Sequence, residues 1–220
     1  YFHKSIGGYS AARLRRFDEV IENQFSKSLN LHILGMMNTK YIITADPQTQ
    51  NLTAQLNPEA CGHAWFVNKV RFVENADEEM KALGDFVPKK EVIVDRIFKN
   101  MLGSKAADAD SVSGSIRLIN YNPDHMVYES NSDKAGIGVF SEIYYNKGWK
   151  MFIDNVESPY FRANYLLRAA YIPAGKHRIE FIFHPLPYYV GEKVSLAGSV
   201  LLILIVAGAM YQQFKKRKTV

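Results

Sequence analysis

Six aromatic residues with polar tips, Tyr144, Tyr145, Trp149, Tyr160, Tyr165 and Tyr171, crowd one stretch of the chain. Such rings offer a flat apolar face and a hydrogen-bonding edge, which suits stacking on the C–H surface of a sugar. Cross-strand packing in a sheet favours the same residues and is the competing role. Asn164 and Arg168 flank the same segment. An arginine there could grip a phosphate or carboxylate with its planar fork, against the commoner role of a surface ion pair. Glycan-binding candidates are therefore Tyr144, Tyr145, Trp149, Asn164, Tyr165 and Arg168. A second set lies near the start, where Gly7, Gly8, Tyr9 and Ser10 precede a helical pattern and Arg13 and Arg16 follow one turn on. Helix N-termini attract anions, so Gly8, Tyr9, Arg13 and Arg16 are anion-binding candidates, with an ordinary loop-to-helix joint as the alternative.

Other chemistries find less support. Glu142 and Asp154 fall on neighbouring strand-like runs and could form a carboxylate pair, although turn carboxylates are far commoner than catalytic ones. His3, His32, His63, His125, His177 and His184 are scattered, and Cys61 is the single cysteine, so neither a zinc site nor a disulfide framework is expected. Gly-x-Ser-x-Gly is absent. No cofactor is implied. The sequon Asn51-Leu52-Thr53 carries meaning only in a eukaryotic secreted protein.

The elements that must position these residues follow from periodicity. Residues 11–24 read as a helix capped by Ser10, with Leu14, Phe17, Ile21 and Phe25 on one stripe. Asn30 can cap a helix over 31–37, and Asn75 a helix running to about Leu83, with Glu78 at the capping-box position. Residues 41–44, 64–67, 70–73 and 91–94 are strand-like, 45–60 a loop or hairpin, and 99–114 a small, polar linker. From Ser115 onward six strand-like runs (116–121, 125–130, 136–145, 149–154, 160–171 and 177–183) alternate with turn residues, the pattern of an antiparallel sandwich. The fold class expected is α+β: a mixed α/β subdomain over 1–110, an antiparallel β-sandwich over 111–190, one transmembrane helix over 194–214 and a basic tail over 215–220.

The span is the strongest single signal. Residues 194–211 contain no charge, and 18 residues at about 1.5 Å each cover about 27 Å, close to the bilayer's hydrocarbon thickness. Lys215, Lys216, Arg217 and Lys218 follow, which places that end in the cytoplasm and the preceding domain outside it. The chain has 220 residues and a net charge of +5, and setting those four cations aside leaves +1. The pI of 9.1 therefore reports topology and gives no support for nucleic-acid binding. Starting at Tyr1 with no signal-peptide pattern, the sequence reads as the C-terminal piece of something longer.

Several blocks carry a resemblance. F-S-E-I-Y-Y-N-K-G-W-K-M-F-I-D-N (140–155) is followed by A-N-Y-L-L-R-A-A-Y-I-P-A-G-K-H-R-I-E-F-I-F (163–183), then Tyr188-Tyr189-Val190-Gly191 and the span. With residues 1–17, 37–42 and 64–67, these blocks resemble the C-terminal extracytoplasmic region and last membrane helix of the bacterial YfhO family of polytopic membrane proteins. The resemblance is thin over 45–60 and 76–114. It implies a parent similar to glycosyltransferases that use polyprenyl-phosphate-linked sugars to decorate envelope polymers such as teichoic acids. Their catalytic carboxylate sits on an early loop that this sequence does not include, so no catalytic residue is carried over. The implied location is the bacterial cytoplasmic membrane, with the soluble part extracytoplasmic and the C-terminus cytoplasmic. The implied partners are membrane lipid around the C-terminal helix, envelope glycan or a polyprenyl-phosphate-linked sugar, and upstream membrane helices of the same protein. The competing class is a non-catalytic, membrane-anchored β-sandwich module for protein–protein contacts in the envelope.

Overall fold

Thirteen strands and five helices follow one another in a computed structural model that describes residues 5–8, 12–26, 28–103 and 112–217. They are α1 (Arg15–Phe25), α2 (Leu31–Met36), β1 (Tyr41–Ala45), β2 (Leu52–Leu56), β3 (Ala64–Val67), β4 (Lys69–Val73), α3 (Ala76–Ala82), β5 (Glu91–Asp95) and α4 (Lys99–Leu102). Then come β6 (Gly114–Asn122), β7 (His125–Ser132), β8 (Gly136–Ile143), β9 (Trp149–Ile153), β10 (Val156–Ser158), β11 (Phe161–Ala163), β12 (Leu167–Ile172), β13 (Gly175–Phe183) and α5 (Leu186–Arg217). The fold is α+β. The chain divides into two units, residues 1–145 with 150–182 and residues 146–149 with 183–220.

The larger unit is organised around β8. It pairs antiparallel with β12 on one edge and β3 on the other, and β11 closes a four-stranded sheet in the order β11-β12-β8-β3. Gly136 through Phe140 are all buried, so both faces of this strand are covered. That explains its unbroken apolar run G-I-G-V-F, since a strand with one wet face would alternate. Phe140 points to a five-stranded antiparallel sheet, β10-β9-β13-β7-β6, where its ring lies 5.0 Å from Tyr128 and 5.0 Å from Phe181. Gly138 faces the same way, and a Cβ there would come within 2.4 Å of Ile172 and 2.7 Å of Ile116. Ile137 and Val139 face the opposite side, into a core shared with Val20 of α1, Ile33 and Met36 of α2, Leu83, and Val92 and Val94 of β5. The result is three layers: an antiparallel sheet, the β8 sheet, and a layer of helices with the parallel pair β4–β5.

Local signals account for the helices. Asn30 accepts the amides of His32 and Ile33 at the start of α2, and Asn75 accepts that of Glu78 at the start of α3. Asp154 and Asn155, with φ of +49° and +68°, form the two-residue turn between β9 and β10, and Asn and Asp tolerate that left-handed geometry best.

Several expectations need correction. α1 starts at Arg15, not residue 11, and Leu14 at its cap position makes no side-chain hydrogen bond; Phe17 and Val20 are where the helix first meets the core. Ser10 lies outside the described residues. The polar segment 99–114 begins as helix, because Asp95 caps a turn over Arg96–Phe98 that runs into α4 and buries Leu102; residues 104–111 lie outside the described residues. The single run 160–171 is two strands broken at Asn164 and Tyr165, with φ of +48° and +66°. Across the boundary expected near residue 110, β3 from the first half completes the sheet of β8 from the second.

In the smaller unit α5 begins at Leu186, eight residues before Val194, with Pro187 in the first turn, where no intrahelical N–H is required. Leu186–Tyr211 is the one helix among the described residues long and apolar enough to cross a membrane, with a mean hydropathy of 2.2 and none of it buried. The helix continues to Arg217, and Lys218 of the expected basic tail lies outside the described residues. In the lead-in, Gly148 holds φ +94°, and a Cβ there would sit 2.9 Å from Phe183 and 3.0 Å from Pro185.

Two predictions follow. Asn164 combines a left-handed φ with a side-chain oxygen that accepts the buried Ile93 N–H at 2.8 Å. Asn164→Ala should lose about 2–3 kcal/mol in a urea titration and Asn164→Gly distinctly less, because glycine keeps the backbone and loses only the hydrogen bond. His177 Nδ1 lies 2.6 Å from Asp154 Oδ2, an interaction that raises the histidine's pKa above 6.5 and lowers the aspartate's below 3.8. The histidine's contribution is complete below pH 6.5 and fades as pH rises through its raised value, while the aspartate's is complete above pH 3.8 and fades as pH falls through its lowered value. The difference in melting temperature between wild type and His177→Gln should therefore peak between pH 3.8 and 6.5 and shrink on both sides.

Candidate functional site

The turn at Asn164 and Tyr165 joins β11 to β12 and plugs into the helical layer. Asn164 is fully buried and acts as a one-residue strand partner for β5: its N–H donates to Ile93 O at 2.8 Å, and its Oδ1 accepts the Ile93 N–H at 2.8 Å. Next to it, the Tyr165 N–H donates to Glu79 Oε1 at 2.7 Å. Glu79 is fully buried on α3. Arg162 lies 3.4 Å from its other oxygen and 3.1 Å from Asp95, and Arg16 approaches that oxygen at 3.7 Å. Burial pushes the Glu79 pKa up, and Arg162, the Tyr165 N–H and Arg16 pull it back.

Above this network lies a groove of about 440 Å³ between α1 and α3, lined by Glu19, Asn23 and Gln24 on one side, Asp77, Met80 and Lys81 on the other, with Tyr165 among them. The Tyr165 hydroxyl donates to Glu19 Oε2, which holds the Glu19 carboxyl below its usual range; Arg15, 2.8 Å away, adds to this. Burial, reinforced by Glu19, pushes the Tyr165 hydroxyl up to about 12, so it stays a neutral donor. The Arg16 guanidinium sits 4.3 Å from the centre of the Tyr165 ring and donates to the Tyr165 carbonyl at 3.4 Å. Gln24 Nε2 reaches Met80 O at 3.2 Å and ties the helices together at one end.

Residues chosen for different reasons thus meet. Arg16, from the anion set, lies against Tyr165, from the aromatic set, with Asn164 beside it. Gly8 lies seven positions ahead of α1, Tyr9 is outside the described residues, and Arg13 pairs with Asp18 at 3.1 Å. Tyr144 packs on Phe98 at 6.3 Å and Tyr160 at 5.5 Å, and the Tyr160 hydroxyl donates to the carbonyl of the more exposed Tyr145. Arg168 is not a surface cation: it is 3% exposed, with Nε donating to Ile143 O at 3.1 Å and its guanidinium 5.0 Å from the centre of the Phe181 ring. Trp149, in the smaller unit, packs on Phe183 at 5.2 Å. Tyr171 is half-buried on β12. Asp154 is engaged by His177 and by the Arg178 N–H, while Glu142 lies in the other sheet and acts on Arg168. No group of three His, Cys, Asp or Glu is placed to hold a metal ion among the described residues, and His3 lies outside them. The Cys61 thiol is pushed up to about 12 by burial.

Glu79, Glu19, Asn23, Gln24 and Asp77 escaped the sequence reading. One signal for Glu79 was present. It falls three residues after Ala76 and three and four before Ala82 and Leu83, on the buried stripe of α3, where a carboxylate breaks the amphipathic pattern. Comparison with family models, curated proteins and solved structures gives no match to this chain.

Removing the central carboxylate while leaving its cations should be severe. Glu79→Ala should cost about 3–5 kcal/mol in a urea titration, the penalty for uncompensated buried charge. Asn23→Ala, on the exposed face of α1, should change stability by less than about 0.5 kcal/mol.

Proposed function

We propose that this chain is the membrane-anchored, extracytoplasmic C-terminal part of a YfhO-like bacterial envelope protein, and that its α1–α3 groove holds a glycan or glycan acceptor. The observation that carries the reading is the groove's chemistry. Asn23, Asp77 and Lys81 bring amide, carboxylate and ammonium groups to one cleft, beside Glu19 and Gln24, which Tyr165, Arg15 and Met80 already engage, and such groups match the alternating donors and acceptors of sugar hydroxyls. The Tyr165 ring is occupied by Arg16, so recognition here is by hydrogen bonding at the rim, not by stacking. The apolar helix Leu186–Tyr211 and the cations after it support an anchor whose C-terminus faces the cytoplasm. In this reading glycosyl transfer belongs to other parts of such a parent, and this region positions what is modified.

The full chain in neutral-lipid nanodiscs should retain at least one member of a panel of envelope glycans and teichoic-acid fragments. Losing two hydrogen bonds through Asn23→Ala with Asp77→Ala should weaken that binding by about tenfold or more, while Trp149→Ala and Tyr145→Ala leave it unchanged. If no member of the panel binds, the glycan reading fails. If only Trp149→Ala or Tyr145→Ala weakens binding, the site lies on the aromatic set instead.

A further inference from the structure

The β1–β2 hairpin belongs to neither of the larger sheets. Its register sets Tyr41 opposite Leu56, Ile43 opposite Ala54 and Ala45 opposite Leu52, so these six side chains share one face. That face is apolar and open: Tyr41 is 61% exposed, Ile43 59%, Leu52 73% and Leu56 68%. The other face carries half-buried Ile42 and the facing hydroxyls of Thr44 and Thr53, 3.3 Å apart. A two-stranded hairpin is marginal in water alone, and this one turns its apolar side outward.

We propose that this face rests on the lipid surface of the bilayer that α5 crosses, an inference that depends on the anchored reading above but not on glycan binding. Three observations choose lipid over protein. The first is area. Exposed by 59–73%, the four large side chains of this face present on the order of 500 Å², short of the roughly 800 Å² per partner that a specific soluble complex buries. A second copy gripping through this face alone falls short of a stable dimer. A chain already held at the membrane needs no such area, because the tether keeps lipid at high local concentration and a weak second contact suffices. The second is charge. Between Tyr41 and Leu56 the single charged residue is Asp46, with Lys40 just before the first strand, so the face carries little charge with which to select a protein or an anionic headgroup, and Tyr41 is an aromatic of the kind that settles at bilayer interfaces. The third is the turn. Asp46 Oδ1 accepts the Gln48 and Thr49 amides at 2.8 and 2.7 Å, and Gln48, Gln50 and Asn51 keep the tip polar. The hairpin therefore lies flat, with its face in the interface and its tip in water.

The test uses the full chain in neutral phosphatidylcholine vesicles, with single cysteines in a Cys61→Ser background. Each cysteine carries an environment-sensitive fluorophore, and the lipids carry acyl-chain nitroxide quenchers. Ile43→Cys and Leu52→Cys should be quenched at least about twofold more than Thr44→Cys and Thr53→Cys on the opposite face. Leu204→Cys, in the middle of α5, reports the anchor. Strong quenching at Leu204→Cys with none at Ile43→Cys or Leu52→Cys overturns the hairpin proposal and leaves the anchor intact. Absence of quenching at Leu204→Cys overturns the anchored reading itself. A blue-shifted but unquenched hairpin label also overturns the proposal: a shift that grows with the protein-to-lipid ratio assigns the face to a second copy, and one independent of that ratio assigns it to a protein surface.

Discussion

A carboxylate without access to water organises the larger unit. Glu79 sits where α3 should present an apolar side chain, and its charge must be met by whatever packs against that helix. Two regions distant in sequence supply the answer: Arg16 from α1, and Arg162 of β11 with the amide of Tyr165 in the turn that follows it. Each bond fixes the approach of one element to α3. Apolar contacts alone would permit sliding; a buried ion network with a backbone donor in it specifies one register. The left-handed turn at Asn164 and Tyr165 persists because it is held from several directions, by Ile93, Glu79, Glu19 and Arg16.

The groove is a by-product of that arrangement. α1 and α3 are drawn to the same turn from opposite sides, and the polar residues on their outer flanks are left facing each other across Tyr165. Its rim can vary without disturbing the core, because Asn23 and Asp77 take no part in the Glu79 network. Tyr165, helped by Arg15, holds the Glu19 carboxyl below its usual range, so one wall of the groove stays anionic.

Local chemistry was legible in the sequence where a short-range rule decides the structure. Asn30 and Asn75 cap helices because their side chains reach amides two or three residues on. Asp154-Asn155 turns because those residues accept positive φ. The apolar run ending at Tyr211 reads as a spanning helix because nothing in it needs water. Long-range pairing was hidden. Nothing in A-W-F-V indicates that β3 must lie beside G-I-G-V-F, because edge pairing is a backbone event that any apolar strand can make. The run 160–171 looked continuous because Tyr165 is a poor turn residue by propensity; its left-handed conformation is imposed by tertiary partners. Of the candidate site, Arg16, Asn164 and Tyr165 were singled out, but as members of two unrelated sets. The residue that unites them, Glu79, reads on its own as one more acidic residue near a helix start.

The pairing of β3 with β8 also bears on how the chain is made. Ala64 pairs with Phe140, so during synthesis the helical layer is complete in sequence long before the sheet that roofs its core. Until Gly136–Ile143 emerges, the inner faces of α1, α2 and β5 have no lid, and the nascent chain carries an open apolar surface. That interval is when holding factors matter most, and a pause in translation before β8 would prolong it.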